Sequence, residues 1–206
     1  MKPILPGATI GLLGGGQLGR MIALEGRPLG YKFIAFDPTP DGPAALVCDG
    51  AVVAPFTDTK KGLEFAARCE LITLEWENVP AELVDTIASI RPVRPEASVL
   101  RIIQDRWVQR EFLNKNGFPQ TAYCAVVDLK ADAEKIGYPC ILKTRRSGYD
   151  GKGQSRLGGP HDLPAAAEPL RLIERQVPFA KEISVILARA EDGRTAVYPV
   201  AENVHR

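Results

Sequence analysis

An excess of charge of either sign is missing from this 206-residue chain, in which 26 Lys and Arg stand against 25 Asp and Glu for a formal net charge of +1. No broad field draws in nucleic acid or an anionic membrane, so neither is expected as a partner. Histidine is scarce, with two residues, and the four cysteines (Cys48, Cys69, Cys124 and Cys140) form no C-x-x-C pair. Their spacing argues against a zinc site or a disulfide framework, and they read as small core residues in a reducing cytoplasm. Long apolar runs are lacking: glycines break the opening MKPILPGATIGLLGGG, Arg20 arrives too soon for a membrane span, and no small-residue cleavage site follows. Internal repeats, low-complexity tracts and the Walker A spacing are absent as well. What remains, 45% hydrophobic and 25% charged, is the composition of a globular protein. Length allows one large domain, or one domain and part of a second.

The pattern along the chain is α/β. Residues 8–15 form an apolar run that ends in glycines and reads as a buried strand. A helix follows, with Leu18, Met21, Ile22, Leu24 and Leu29 marking its apolar face. Residues 31–37 and 70–76 read as further strands, separated by a helix capped by Thr57 or Asp58, and the alternation predicts a parallel sheet. After another helix, the proline-bounded RPVRPEA reads as a connector, which places a domain boundary near residue 97 and divides the chain into 1–97 and 98–206. Beyond it the pattern predicts a helix broken near Asp105 and ended by Gly117, then strand, helix and strand (139–145) into a glycine-rich turn. A strand, a helix over HDLPAAAEPL, a strand, and a hairpin turning at Asp192-Gly193 complete it. The chain stops directly after a strand pattern, and an interruption in mid-domain is expected.

Three constellations carry chemistry. In GLLGGGQLGR (11–20), a strand, tightly spaced glycines and a helix start would leave backbone N–H groups open to a phosphate. Gly14, Gly16 and Gly19 also meet the short dinucleotide pattern, with Asp37 as its supporting acid, and a turn used only for packing would look the same. EWEN (75–78) ends the third strand of the sheet, where ligands of open α/β sheets collect; strand alternation directs only one of Glu75 and Glu77 into the crevice. ILKTRRSGYDGKGQ (141–154) places Lys143 inside a strand, which implies an anionic partner such as phosphate, and sets Asp150 and Lys152 among glycines, the composition of a lid. A solvent hairpin with polar tips is the plain alternative. Downstream, Glu174 and Glu182 are acids at strand positions where a nucleotide's amine or ribose needs acceptors, and either also suits a solvated surface. His161 reads as a helix-end residue.

Taken together, GLLGGGQLGRM, LEWENV, IQDRWVQREFL, LKTRRSGYDGKGQ, ERQVPFAKEISV and YPVAENVH resemble, in order and spacing, the N5-carboxyaminoimidazole ribonucleotide synthase family of the ATP-grasp superfamily, from residue 8 to the last residue. The resemblance implies a half-Rossmann-like pre-ATP-grasp domain followed by an incomplete ATP-grasp domain. It implies ATP contacts at Arg106, Lys143, Glu174, Val177, Glu182 and His205, a lid carrying Asp150 and Lys152 at the reacting phosphate, and an aminoimidazole ribonucleotide side at Gln17, Leu18 and Glu75. The reaction implied is ATP- and bicarbonate-dependent carboxylation through carboxyphosphate, in a cytoplasmic homodimer of the full-length protein. Family members continue for well over a hundred further residues, among them the magnesium ligands. No residue here matches those ligands, so this chain alone is expected to be inactive and to expose an unpaired sheet edge. The formate-using glycinamide ribonucleotide transformylase and a non-catalytic nucleotide-binding module are the competing readings.

Overall fold

The computed structural model describes residues 3–148, 152–164 and 170–204. Its first half is a parallel sheet of five strands: β1 (Thr9–Leu13), β2 (Lys32–Asp37), β3 (Gly50–Val53), β4 (Leu71–Leu74) and β5 (Val93–Arg94), in the order β3-β2-β1-β4-β5. Helices α1 (Gln17–Gly26), α2 (Thr59–Ala66) and α3 (Ala81–Ala88) supply the crossovers after β1, β3 and β4, and residues 38–49 join β2 to β3 without a helix. Asp58, one of the two expected caps, closes the start of α2 by accepting from the Lys61 N–H.

Alternation along β1 divides the core. Leu13 packs with Phe36, Phe65, Ile72, Leu83 and Ile87 on one face, while Leu12 meets Ala23 of α1 and Phe33 on the other. Two expectations change here. RPVRPEA is more than a connector, because Val93 and Arg94 pair with Ile72 and Thr73 as the edge strand. The apolar face read on α1 is the outer one: Leu18, Met21, Ile22, Leu24 and Leu29 are exposed, and the helix is seated by Gly19 and Ala23. Small residues win this contact because close backbone approach buries more sheet surface than long side chains would; a Cβ on Gly19 would already lie 3.3 Å from Ala44 Cβ and from Glu75 Cγ.

Two helices follow, α4 (Ala97–Ile103) and α5 (Arg106–Lys115), broken at Asp105 as the sequence predicts. Helix α4 crosses the boundary expected at residue 97 and contributes both Ala97 and Leu100 to the first core. The second half is an antiparallel sheet of β6 (Tyr123–Ala125), β7 (Cys140–Thr144), β8 (Gln154–Leu157) and β9 (Arg171–Arg175) in the order β6-β9-β7-β8, with α6 (Leu129–Ile136) on one face. Cys140, Leu142 and Ile173 point toward α6 with Ala133 and Ile136. In the segment expected to be a helix after β8, the described residues form one short 3-10 turn, Pro160–Asp162, with His161 exposed, and residues 165–169 lie outside the described set.

The expected terminal hairpin is four short strands, β10 (Glu182–Ser184), β11 (Leu187–Arg189), β12 (Thr195–Val197) and β13 (Ala201–Asn203). Pairs β11-β12 and β10-β13 are antiparallel and nested around a turn with Gly193 at φ +86°. All four cysteines are free; burial pushes the Cys69 thiol up to about 12 and the Cys48 thiol, beside Asp49, up to about 11. Among the described residues no helix is long and apolar enough to cross a membrane.

Candidate functional site

At the carboxyl end of the parallel sheet, the glycine turn after β1 is held from inside. Gly14 donates to the Phe36 carbonyl at 3.0 Å, Gly15 to Asp37 Oδ2 at 2.7 Å and Gly16 to Glu75 Oε2 at 3.3 Å. The phosphate cradle expected at this turn is therefore not what these amides form. Two carboxylates already occupy two of them, and their charge would repel a phosphate. Of the two acids in EWEN, Glu75 folds onto the turn while Glu77 points toward α4 and α5. Gln17 and Leu18, exposed on the first turn of α1, share this rim with Glu75.

The second constellation lies on the face of the antiparallel sheet opposite α6. Register pairs Lys143 with Gln154 and Ile141 with both Arg156 and Glu174, so these side chains share that face. With Arg110 of α5 and the segment 175–182 they enclose a cavity of ≈ 540 Å³ that also takes in Val177, Phe179 and Glu182. Lys143, Glu174, Val177 and Glu182, expected together from the sequence, thus meet in one place. Glu174 is 5% exposed, and its carboxylate lies between the Lys143 ammonium on one oxygen and the Arg110 guanidinium on the other. Lys143 thus has a protein carboxylate, that of Glu174, as its partner. A buried carboxylate without such cations would carry a large desolvation cost. Glu182 accepts from Asn203 Nδ2 at 2.9 Å, which ties the cavity wall to β13.

Arg106 is not part of this cavity. Its guanidinium donates to the carbonyls of Thr144 (2.8 Å) and Gly148, and it lines a separate cleft of ≈ 330 Å³ with Glu77, Asn78, Gln104 and Ser147. Lys152, in the glycine-rich turn, is exposed. Asp150 and His205 lie outside the described residues.

Arg110, Gln154 and Phe179 are absent from the set expected from sequence. Arg110 had a signal only in its place within the IQDRWVQREFL segment. Gln154 and Phe179 carried none, because their place depends on strand pairing. The cavity lining holds four cations (Arg110, Lys143, Arg156, Arg175) against two carboxylates (Glu174, Glu182), a surplus of positive charge facing apolar Ile141, Val177 and Phe179. Such a surface suits a ligand with an anionic end and a flat apolar end.

Comparison with known proteins agrees with this anatomy. Residues 7–104 match the ribonucleotide synthetase preATP-grasp domain, and residues 111–206 match the ATP-grasp domain. The N5-carboxyaminoimidazole ribonucleotide synthase of Pseudomonas aeruginosa is 42% identical over 203 residues, covering 95% of this chain and 56% of its own length. Among solved structures, an ADP complex of N5-carboxyaminoimidazole ribonucleotide synthetase superposes with a TM-score of 0.93 at 38% identity, over 98% of this chain and 56% of that one. The Aspergillus clavatus N5-carboxyaminoimidazole synthase in complex with ADP and 5-aminoimidazole ribonucleotide superposes with a TM-score of 0.86 at 28% identity, over 97% and 54%. The chain spans a little more than half the length of these relatives. It is a preATP-grasp domain followed by part of an ATP-grasp domain, and it belongs to the N5-carboxyaminoimidazole ribonucleotide synthase family.

Proposed function

We propose that this chain supplies the nucleotide site and the amine-substrate rim of an ATP-dependent ligase that carboxylates 5-aminoimidazole ribonucleotide with bicarbonate. The observation that carries the reading is the ≈ 540 Å³ cavity, within the usual size of small-ligand sites, in which cations and the apolar Ile141, Val177 and Phe179 share one lining. Lys143 and Arg110 would attract the phosphates, Ile141, Val177 and Phe179 would pack on the base, and Glu182 would accept from ribose hydroxyls. Lys152 with Asp150 would cover the reacting phosphate, and His205 and Arg106 would complete the nucleotide contacts. Gln17, Leu18 and Glu75 would line the ribonucleotide's side. ATP supplies the phosphoryl group that activates bicarbonate as carboxyphosphate, and the chain's part is to gather charge and exclude water from that labile anhydride.

Magnesium is expected with ATP, but among the described residues no group of three or more His, Cys, Asp or Glu side chains is placed to hold it. We place the division between the working units at the α4–α5 junction, since Leu100 belongs to the first core. Cytoplasmic location and homodimerisation are part of the same proposal.

The test is titration calorimetry of this chain with ATP, beside bicarbonate- and aminoimidazole-ribonucleotide-dependent ADP release. ATP binding that Lys143→Ala weakens about tenfold or more supports the nucleotide site. Undiminished binding in that variant removes the cavity from the account. ATP binding with no bicarbonate-dependent ADP release from the full-length gene product would favour a nucleotide-binding module.

A further inference from the structure

The start of α5 is tied to the glycine-rich turn by Asp105 and Arg145, which lie outside the expected nucleotide set, together with Arg106 from within it. Asp105, 5% exposed, caps α5 by accepting from the N–H groups of Trp107 (2.9 Å) and Val108 (3.5 Å). The same carboxylate takes both arms of Arg145, from Nε at 3.0 Å and Nη2 at 2.7 Å, with Arg146 Nε at 3.5 Å. Arg106 completes the attachment: its backbone N–H donates to the Arg145 carbonyl at 2.9 Å and its guanidinium to Thr144 and Gly148. Across the neck of the turn, the Thr144 N–H donates to the Gly153 carbonyl at 2.8 Å. Gly148 sits close against the Arg106 head and the Lys152 backbone, since a Cβ there would lie 3.1 Å from Arg106 Nη2 and 2.7 Å from the Lys152 carbonyl.

A helix cap needs only an acceptor, and Ser or Asn serves as well as Asp. A buried full charge is costly unless it is paired, so the ionised side chain at 105 implies a task beyond the cap. That task is the paired, planar grip on Arg145. The residues so held adjoin Lys143 and Gln154, which pair across β7 and β8 in the cavity wall.

We propose that Asp105 is a positioning residue for the nucleotide site, fixing the root of the glycine-rich turn through Arg145 and Arg106. The proposal rests on the nucleotide reading above. Its test compares Asp105→Asn and Asp105→Ser, which keep a capping acceptor and lose the charge, with Asp105→Ala, which loses both. Amide hydrogen exchange over residues 144–154 and calorimetric affinity for magnesium-ATP are measured on the 206-residue chain. All three variants are expected to speed exchange in that segment and to weaken ATP binding roughly tenfold, the exchange map of the first sheet staying unchanged. Wild-type behaviour of the Asn and Ser variants, with only Ala impaired, would reduce Asp105 to a cap and overturn the proposal. Absence of ATP binding in the wild-type chain would count against the nucleotide reading, while exchange in residues 144–154 would still decide whether Asp105 holds the turn.

Discussion

At the scale of single residues, the site is organised by carboxylates that protein groups already engage. Burial pushes the Asp105 carboxyl up, but the Arg145 hydrogen bond and the N–H groups of Trp107 and Val108 outweigh it and hold the group below its usual 3.8. A carboxyl with a lowered folded value contributes stability that is complete above the unfolded value and fades as pH falls through the folded one. Urea denaturation from about pH 6 to about pH 2 is therefore expected to show a steeper acid loss in the wild type than in Asp105→Asn. Equal slopes would mean that the ion pair does not form in solution. Gly14 is the other sensitive residue. It has φ +107°, and a Cβ there would lie 2.3 Å from Glu75 Oε2. Gly14→Ala is expected to cost about 2 kcal/mol or more in denaturant midpoint measurements, through backbone strain and displacement of Glu75.

At the scale of elements, helix α1 and strand β7 respond oppositely to substitution. Met21 is 54% exposed on α1, so Met21→Gln should change stability by no more than about 0.5 kcal/mol. Leu142 is fully buried between α6 and β9, and Leu142→Ala should cost about 3 kcal/mol by thermal or denaturant unfolding. A large loss at Met21 would show that the outer face of α1 is covered in solution. The contrast also marks where sequence periodicity is ambiguous. The leucine-rich stripe of α1 has helical spacing, and so does the Gly19–Ala23 pair one position on; only the distance to the sheet decides which one faces in. In β5 the two prolines around Val93 and Arg94 obscured a two-residue strand, since proline reads as a break while pairing to an edge needs few N–H groups.

At the scale of the whole molecule, two cores of unequal completeness stand in sequence. The first sheet is covered on both faces, whereas β10 to β13 leave Ile183, Val185, Ile186, Leu187 and Val197 exposed. Leu187 and Val197 face each other across β11 and β12 at 58% and 65% exposure, an apolar cross-strand pair of the kind that seeks cover. Concentration-dependent association of this chain is expected in light scattering, reduced by Leu187→Glu combined with Val197→Lys. Unchanged association in that variant would locate the contact elsewhere.

The sequence by itself determined the βαβ alternation of the first half, the break at Asp105 and the Asp58 cap, which follow from local periodicity and capping chemistry, properties of neighbouring residues. That Lys143, Glu174, Val177 and Glu182 belong to one site came from the family resemblance, carried by several motifs taken together. Tertiary structure alone decided that Glu174 neutralises Lys143 with Arg110, that Asp37 and Glu75 fill the amides of the first glycine turn, and that Arg106 stands in a cleft of its own. Each of these depends on pairing between residues 22 to 64 positions apart, set by strand register and helix seating, and such distances leave no trace in a local pattern.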